Sequence, residues 1–222
     1  GFPLGLAAQD SGFLDDYSRL VENPEFGFSR VYMKPGAEDY LARIDKLMID
    51  QPSFVFSSDS KYKGVKPSDV MFVAEELRAA VIEGVQDQYP VVVGPGEGVA
   101  LARWAVTNER LDKAKRGILS YTPPGAIAHG VKKSMSDVVS KTRAFDVVLE
   151  LELSDSLNDE VLIAAMMDIS ESGKEVKWAD ALAVANALGG RIACRMNNSR
   201  LDESDRQDCL EIKVDLVSEP GK

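Results

Sequence analysis

Histidine is almost missing from this chain. His129 is the single copy in 222 residues, which excludes multi-histidine metal sites and leaves histidine-based catalysis one base to work with. Neither cysteine lies near it in sequence, so a Cys–His nucleophile pair would have to be assembled by the fold. A lone histidine of this kind reads as structural or exposed. Cysteine is scarce too, with only Cys194 and Cys209 present. In an exported protein they would pair, closing a loop of about 15 residues worth ~3 kcal/mol in the chain-entropy account. In a cytosolic protein they would remain thiols. No apolar run approaches the roughly 20 residues that span a bilayer. Basic residues are outnumbered, 26 Lys and Arg against 36 Asp and Glu, for a net charge of −10. Such a surface repels phosphate, which argues against nucleic acid as a partner and against docking on anionic lipid.

What is present is enough apolar residue for one buried core, at 45% of the chain. The strongest pattern runs over residues 143–170. Phe145, Val147, Leu149, Leu151 and Leu153 alternate with Asp146, Glu150, Glu152 and Ser154, a period of two that predicts a strand with one apolar and one acidic face. Residues 155–159 are rich in turn formers. The chain then returns with Val161, Ile163, Ala165, Met167 and Ile169 on one side. The pair reads as a hairpin whose apolar face the remaining elements must cover.

Helical spacing is clearest over residues 68–88. Val70, Val73, Ala74, Leu77, Ala80, Val81 and Val85 recur at three- and four-residue steps. Ser68 is the candidate N-cap, and Pro90 stops the helix. A second helix is expected over 178–196, alanine-rich, with Leu182, Ala185, Leu188 and Ile192 on one side and Gly189-Gly190 weakening its middle. Shorter strands are expected at Leu47–Ile49 and Ser53–Phe56, with Pro52 making the middle of this stretch an edge or a bulge. Val91–Val93 and Val99–Thr107 read as a further hairpin around the turn 94–98. A helix over 127–139 and a last strand over 209–217 complete the prediction. The fold class is α+β: a single mixed, largely antiparallel sheet with two main helices packed on one face. Residues 1–27 read as an N-terminal tether, 28–222 as one domain, and 190–222 as its C-terminal extension.

No assembled catalytic, cofactor or metal set emerges. Gly94-Pro-Gly-Glu-Gly98 lacks the Lys-Ser/Thr and the helix that a phosphate loop requires, so it reads as a turn. Ser58-Asp-Ser-Lys61 matches Ser-x-x-Lys, but its companion Lys-Thr-Gly is missing and the stretch is loop-like. Asp146, Glu150, Glu152 and Asp168 could pair as acid and base or hold a hard cation, yet a strand's charged face is ordinarily a solvated one. Asp155, Asn158, Asp159 and Glu160 could offer oxygens to calcium but lack the EF-hand spacing. Asn197-Asn198-Ser199 fits a glycosylation acceptor, relevant only in a eukaryotic secretory setting. Trp104 and Trp178 read as packing residues.

Several stretches, in order, resemble a family of uncharacterised bacterial lipoproteins of unknown function: residues 11–20 (Ser-Gly-Phe-Leu-Asp-Asp-Tyr-Ser-Arg-Leu), 31–36, 46–50, 62–68, 102–107 and the turn from Asp155 to Leu162. The resemblance spans about residues 11–180 and brings no catalytic residues with it. It implies export to the periplasm or an outer-membrane anchorage through an N-terminal lipid-bearing cysteine, which does not occur near this start. The start lacks a basic region and an initiator methionine, so a removed export leader is expected. The function expected is a non-enzymatic envelope protein that binds another envelope protein, with contact to the membrane only through such an anchor. The rival expectation is a small-ligand binder or hydrolase with a pocket near the loop at 117–139.

Overall fold

The computed structural model describes residues 10–23, 28–58, 66–113, 142–169, 175–176 and 178–209. Among the described residues nine strands form one mixed sheet: β1 (Val21–Glu22), β2 (Arg30–Met33), β3 (Lys46–Ile49), β4 (Ser53–Phe56), β5 (Val99–Lys113), β6 (Thr142–Phe145), β7 (Val148–Asp155), β8 (Val161–Asp168) and β9 (Glu175–Val176). Three α-helices among the described residues accompany it: the short α1 (Ala37–Leu41), then α2 (Pro67–Val85) and α3 (Trp178–Asn198). The expected α+β class and the two main helices are therefore present.

β5 is the spine. On one side it pairs in parallel with β3 and then, further along, with β4. On the other it pairs antiparallel with β7 and then β6. β7 and β8 form the expected hairpin, and β2 and β1 extend the sheet beyond β8.

The expected long strand over 143–155 is divided. Asp146 takes a left-handed backbone (φ 56°) and separates β6 from β7. Aspartate is among the residues that tolerate this conformation. A register shift between Leu153 and Ser154 places Val161 opposite Ser154, so Val161 belongs to the opposite face from Ile163. Strict alternation over the two arms had put them together.

The hairpin expected from Val91–Val93 and Val99–Thr107 does not form. Val91 bridges Leu47 in parallel, and Leu47 in turn pairs with Ala100, so β3 lies between the two arms. Two adjacent strand-like runs carry no record of a third segment that separates them; only the fold reveals it. Trp104 is buried as expected, its indole N–H donating to the Asp50 carbonyl at 2.8 Å.

On the helix side of the sheet, Leu149, Leu151, Leu153, Ala102 and Trp104 pack with Leu77, Val81, Leu188 and Ile192 in one continuous core. α2 begins two positions earlier than the Ser68 cap implies: Lys66 is the N-cap and Pro67 occupies the first turn, where a missing N–H costs nothing. The helices cross at Gly84 and Gly189. A Cβ on Gly84 would lie 2.0 Å from the Asn186 carbonyl oxygen, and one on Gly189 would lie 2.1 Å from that of Val81. The glycine that weakens α3 as a helix is what lets α2 approach it.

The C-terminal half of α3 carries a disulfide from Cys194 to Cys209, with Cα atoms 5.7 Å apart. The helix expected at 127–139 and the strand after Cys209 lie outside the described residues.

Candidate functional site

The acidic face of β7 was the place to look for chemistry, and the structure closes it. Glu150 is 1% and Glu152 2% exposed. Residues 10–22 run across this second face of the sheet as a strap. Leu14 and Leu20 pack with Val148, Ala164 and Met166, with Phe13, Tyr17 and Tyr32 around them. The expectation of a solvated face fails because period-two alternation identifies which side chains share a face but not what lies upon it.

The strap is organised around the Tyr17 hydroxyl. It donates to Glu150 Oε2 at 2.6 Å and accepts the backbone N–H groups of Phe13 (3.1 Å) and Leu14 (3.2 Å). The other oxygen of Glu150 accepts from Thr107 Oγ1 at 2.7 Å. Arg30 donates to the Tyr17 carbonyl at 3.0 Å, and the Arg103 guanidinium lies over the Phe13 ring. Both oxygens of Glu150 are thus engaged in holding the strap to β5 and β7. That geometry supports a positioning role rather than acid–base work on a substrate.

Glu152 receives Arg103 Nη1 at 3.2 Å. Burial pushes its carboxyl above the usual range; Arg103 opposes this, the Asp15 carboxylate adds to it, and the Asp15 backbone N–H and Arg19 oppose it. An acid raised in the folded state holds its proton more tightly there than in the unfolded chain. Its contribution is therefore best below the ordinary glutamate value, about 4.3, and declines as pH rises to the raised value. Glu152→Gln removes that decline. The melting-temperature difference between E152Q and the parent should be near zero at low pH and grow in favour of E152Q toward neutrality. A constant or shrinking difference in thermal unfolding across that range would sink this account.

The remaining acids are dispersed. Asp146 stands at the break between β6 and β7, and Asp168 is exposed at the end of β8. Among the described residues no group of three or more His, Cys, Asp or Glu is placed to hold a metal.

At the β7–β8 turn, Asp155 accepts from the Tyr40 hydroxyl and from the Leu157 N–H at 2.6 Å. Asn158 Oδ1 accepts from the Glu160 N–H at 2.9 Å, and Glu160 pairs with Lys34. Asp155, Asn158 and Glu160, three of the candidate calcium ligands, thus serve the turn and its neighbours Tyr40 and Lys34. Burial pushes the Asp155 carboxyl up, but the Tyr40, Leu157 and Asn158 donors outweigh it and hold it below the usual range. Burial first, then Asp155, push the Tyr40 phenol up to about 12.

Other sequence candidates are not brought together. The loop 94–98 leads into a strand, not a helix, and Gly98 (φ 70°) packs beside Asp45. Ser58 lies just beyond β4, while Lys61 and His129 lie outside the described residues, as does the loop at 117–139. Asn197 is engaged within the fold, accepting from the Tyr89 hydroxyl at 2.7 Å and donating to Gln88. Sequence reasoning missed the strap's role. The signal was there in residues 11–20, where Phe13, Leu14, Tyr17 and Leu20 place apolar groups among polar ones.

A mixed-sheet α+β domain, with helices on one face and an N-terminal strap on the other, is the class these observations define. Residues 9–190 match the family described as "Protein of unknown function (DUF3313)", and the chain belongs to that family. No curated protein matches it. Among solved structures, it is similar to a point variant of the PelC dodecamer from Paraburkholderia phytofirmans at 17% identity, covering 75% of this chain and 94% of that one, with a TM-score of 0.34. A second crystal form of the PelC dodecamer from the same organism gives 13% identity, 73% and 92% coverage and a TM-score of 0.35. A neuraminyllactose-binding hemagglutinin homologue from Helicobacter pylori gives 9% identity, 76% and 89% coverage and a TM-score of 0.33.

Proposed function

We propose that this chain is an exported, non-enzymatic protein of the bacterial cell envelope, periplasmic or tethered to the outer membrane by a lipid, and that it binds another envelope protein by strand addition at β4. The observation that carries the reading is the outer side of β4. Its inner side pairs with β5, and among the described residues no strand pairs with its other side. Its sequence, Ser-Phe-Val-Phe, has neither the charges nor the proline that ordinarily protect an edge. Phe54 and Phe56 stack with ring centroids 6.1 Å apart, and Phe56 is 39% exposed. An added extended segment would gain main-chain hydrogen bonds and a ring platform. The disulfide fits an oxidising compartment, and no helix among the described residues is long and apolar enough to cross a membrane.

A photo-reactive residue in place of Phe56 tests this in living cells. The expected result is an adduct with one other envelope protein, abolished when Val55→Lys is added to charge the edge. An adduct only with a second copy would reassign β4 to self-assembly. No adduct, or one indifferent to V55K, would remove the edge as the binding element.

A further inference from the structure

The two faces of the sheet are packed as separate interiors. Leu14, Leu20, Val148, Ala164 and Met166 form one cluster beneath the strap, and none of them belongs to the larger core between the sheet and the helices. That larger core is built without residues 10–22. A small satellite cluster under a terminal segment is the kind of unit that opens before the whole molecule unfolds. The strap is further tied by Val21 pairing with Val31, by Arg30 on the Tyr17 carbonyl, by Arg19 over the Tyr32 ring and by the Tyr17 hydroxyl on Glu150.

Closing the strap takes two carboxyl groups out of water together. Glu150 and Glu152 stand two residues apart on one face of β7 and are both buried. Glu150 has two hydroxyl donors, Tyr17 and Thr107. Glu152 faces Arg103 from β5, while Ala164, opposite it on β8, brings no charge. The strap brings Asp15 and Arg19 toward it, and its own strand brings Glu150. The Arg103 side chain is 43% exposed, so water screens part of its attraction. Burial is the first cause of the raised Glu152 carboxyl, and a lifted strap removes it by readmitting water. Glu152 therefore holds its proton more tightly with the strap down, and closure takes up a proton. Closure is best supported below the ordinary glutamate value, about 4.3, and loses that support as pH rises through the raised one.

We propose that residues 10–22 are a pH-sensitive latch: the strap lifts as a unit from Val148, Ala164 and Met166 while the helix-side core stays folded, and the buried Glu152 couples its closure to a proton. Acid holds the latch down and neutral pH loosens it. Lifting uncovers a face that combines an apolar strip with two carboxylates. The inference does not depend on strand addition at β4.

The test is hydrogen–deuterium exchange of the purified full chain, read by mass spectrometry at about pH 5 and about pH 8. Protection is corrected for the intrinsic exchange rate at each pH, with α2 as the reference for the helix-side core. The strap should be less protected than α2 at both pH values, and less protected at the higher pH than at the lower. Glu152→Gln should keep the strap as protected at the higher pH as the parent is at the lower, so the difference is lost. Tyr17→Phe removes a charge-assisted hydrogen bond and should lower strap protection about tenfold or more at both pH values. Exchange of the strap and α2 at one common rate, or indifference to Y17F, would show that no separate latch exists. Equal strap protection at the two pH values in the parent, a difference of opposite sign, or one that survives in E152Q would remove the proton coupling and overturn the proposal. The parent's own pH dependence decides the matter even if a variant folds poorly.

Discussion

Gly84→Ala is expected to cost about 3 kcal/mol or more, the upper end for overpacking a well-fitted interior. Helix propensity alone predicts the opposite sign, since alanine exceeds glycine by about 1 kcal/mol in a helix interior. The crossing decides. The new Cβ would sit 2.0 Å from the Asn186 carbonyl oxygen and 3.0 Å from the Gly190 nitrogen, both of them backbone atoms that cannot turn aside. Relief requires α2 and α3 to separate, which opens the packing of Val81, Val85, Ala185 and Leu188 against the sheet. Gly94→Ala is the control, because a Cβ there meets nothing within 4 Å. Chemical denaturation of the two variants should show a large loss for G84A and little change for G94A. Equal midpoints would show that the helices adjust freely.

Replacing Cys194 and Cys209 together by alanine is expected to lower stability by about 3 kcal/mol, the chain-entropy value for a closed loop of 15 residues. The folded loop itself should persist. Arg206 forms two hydrogen bonds with the Glu38 carboxylate at 3.1 and 3.3 Å, Arg200 donates to the carbonyls of Ala42 and Ile44, and Asn198 exchanges hydrogen bonds with the backbone of Gln207. These contacts tie residues 198–207 to α1 without the sulfurs. The double variant should therefore show an undisturbed native spectrum with a lower unfolding midpoint. A changed native spectrum would mean that the bridge shapes the loop rather than restricting the unfolded chain.

The legible parts of this fold were those with local periodicity. Residues 68–88 and 178–196 announced helices through three- and four-residue spacing, and 148–155 with 161–168 announced a hairpin through alternation. Pairing between distant segments was not legible: nothing in Val91 or Val99 indicated that Leu47 would stand between them. The candidate site was half legible. Glu150 and Glu152 were identified as neighbours on one face, but their burial depends on Tyr17, over a hundred residues earlier. Gly189 was read as a defect because its benefit lies in another helix. The two cysteines were readable as a pair only on the assumption of export.

β5 has a consequence for the order of events in folding. The hairpin of β7 and β8 closes through the short turn after Asp155 and is a local structure, of the kind that forms in microseconds. β5 must then collect Leu47 and Phe54 from one direction and Leu151 from the other, each about fifty residues away. Such separated pairings slow a chain's arrival at its native state. Until β5 arrives, the flank of β7 that it will occupy is an open ladder beside a row of leucines. That interval, rather than the finished molecule, is when this chain is most exposed to aggregation with its own kind.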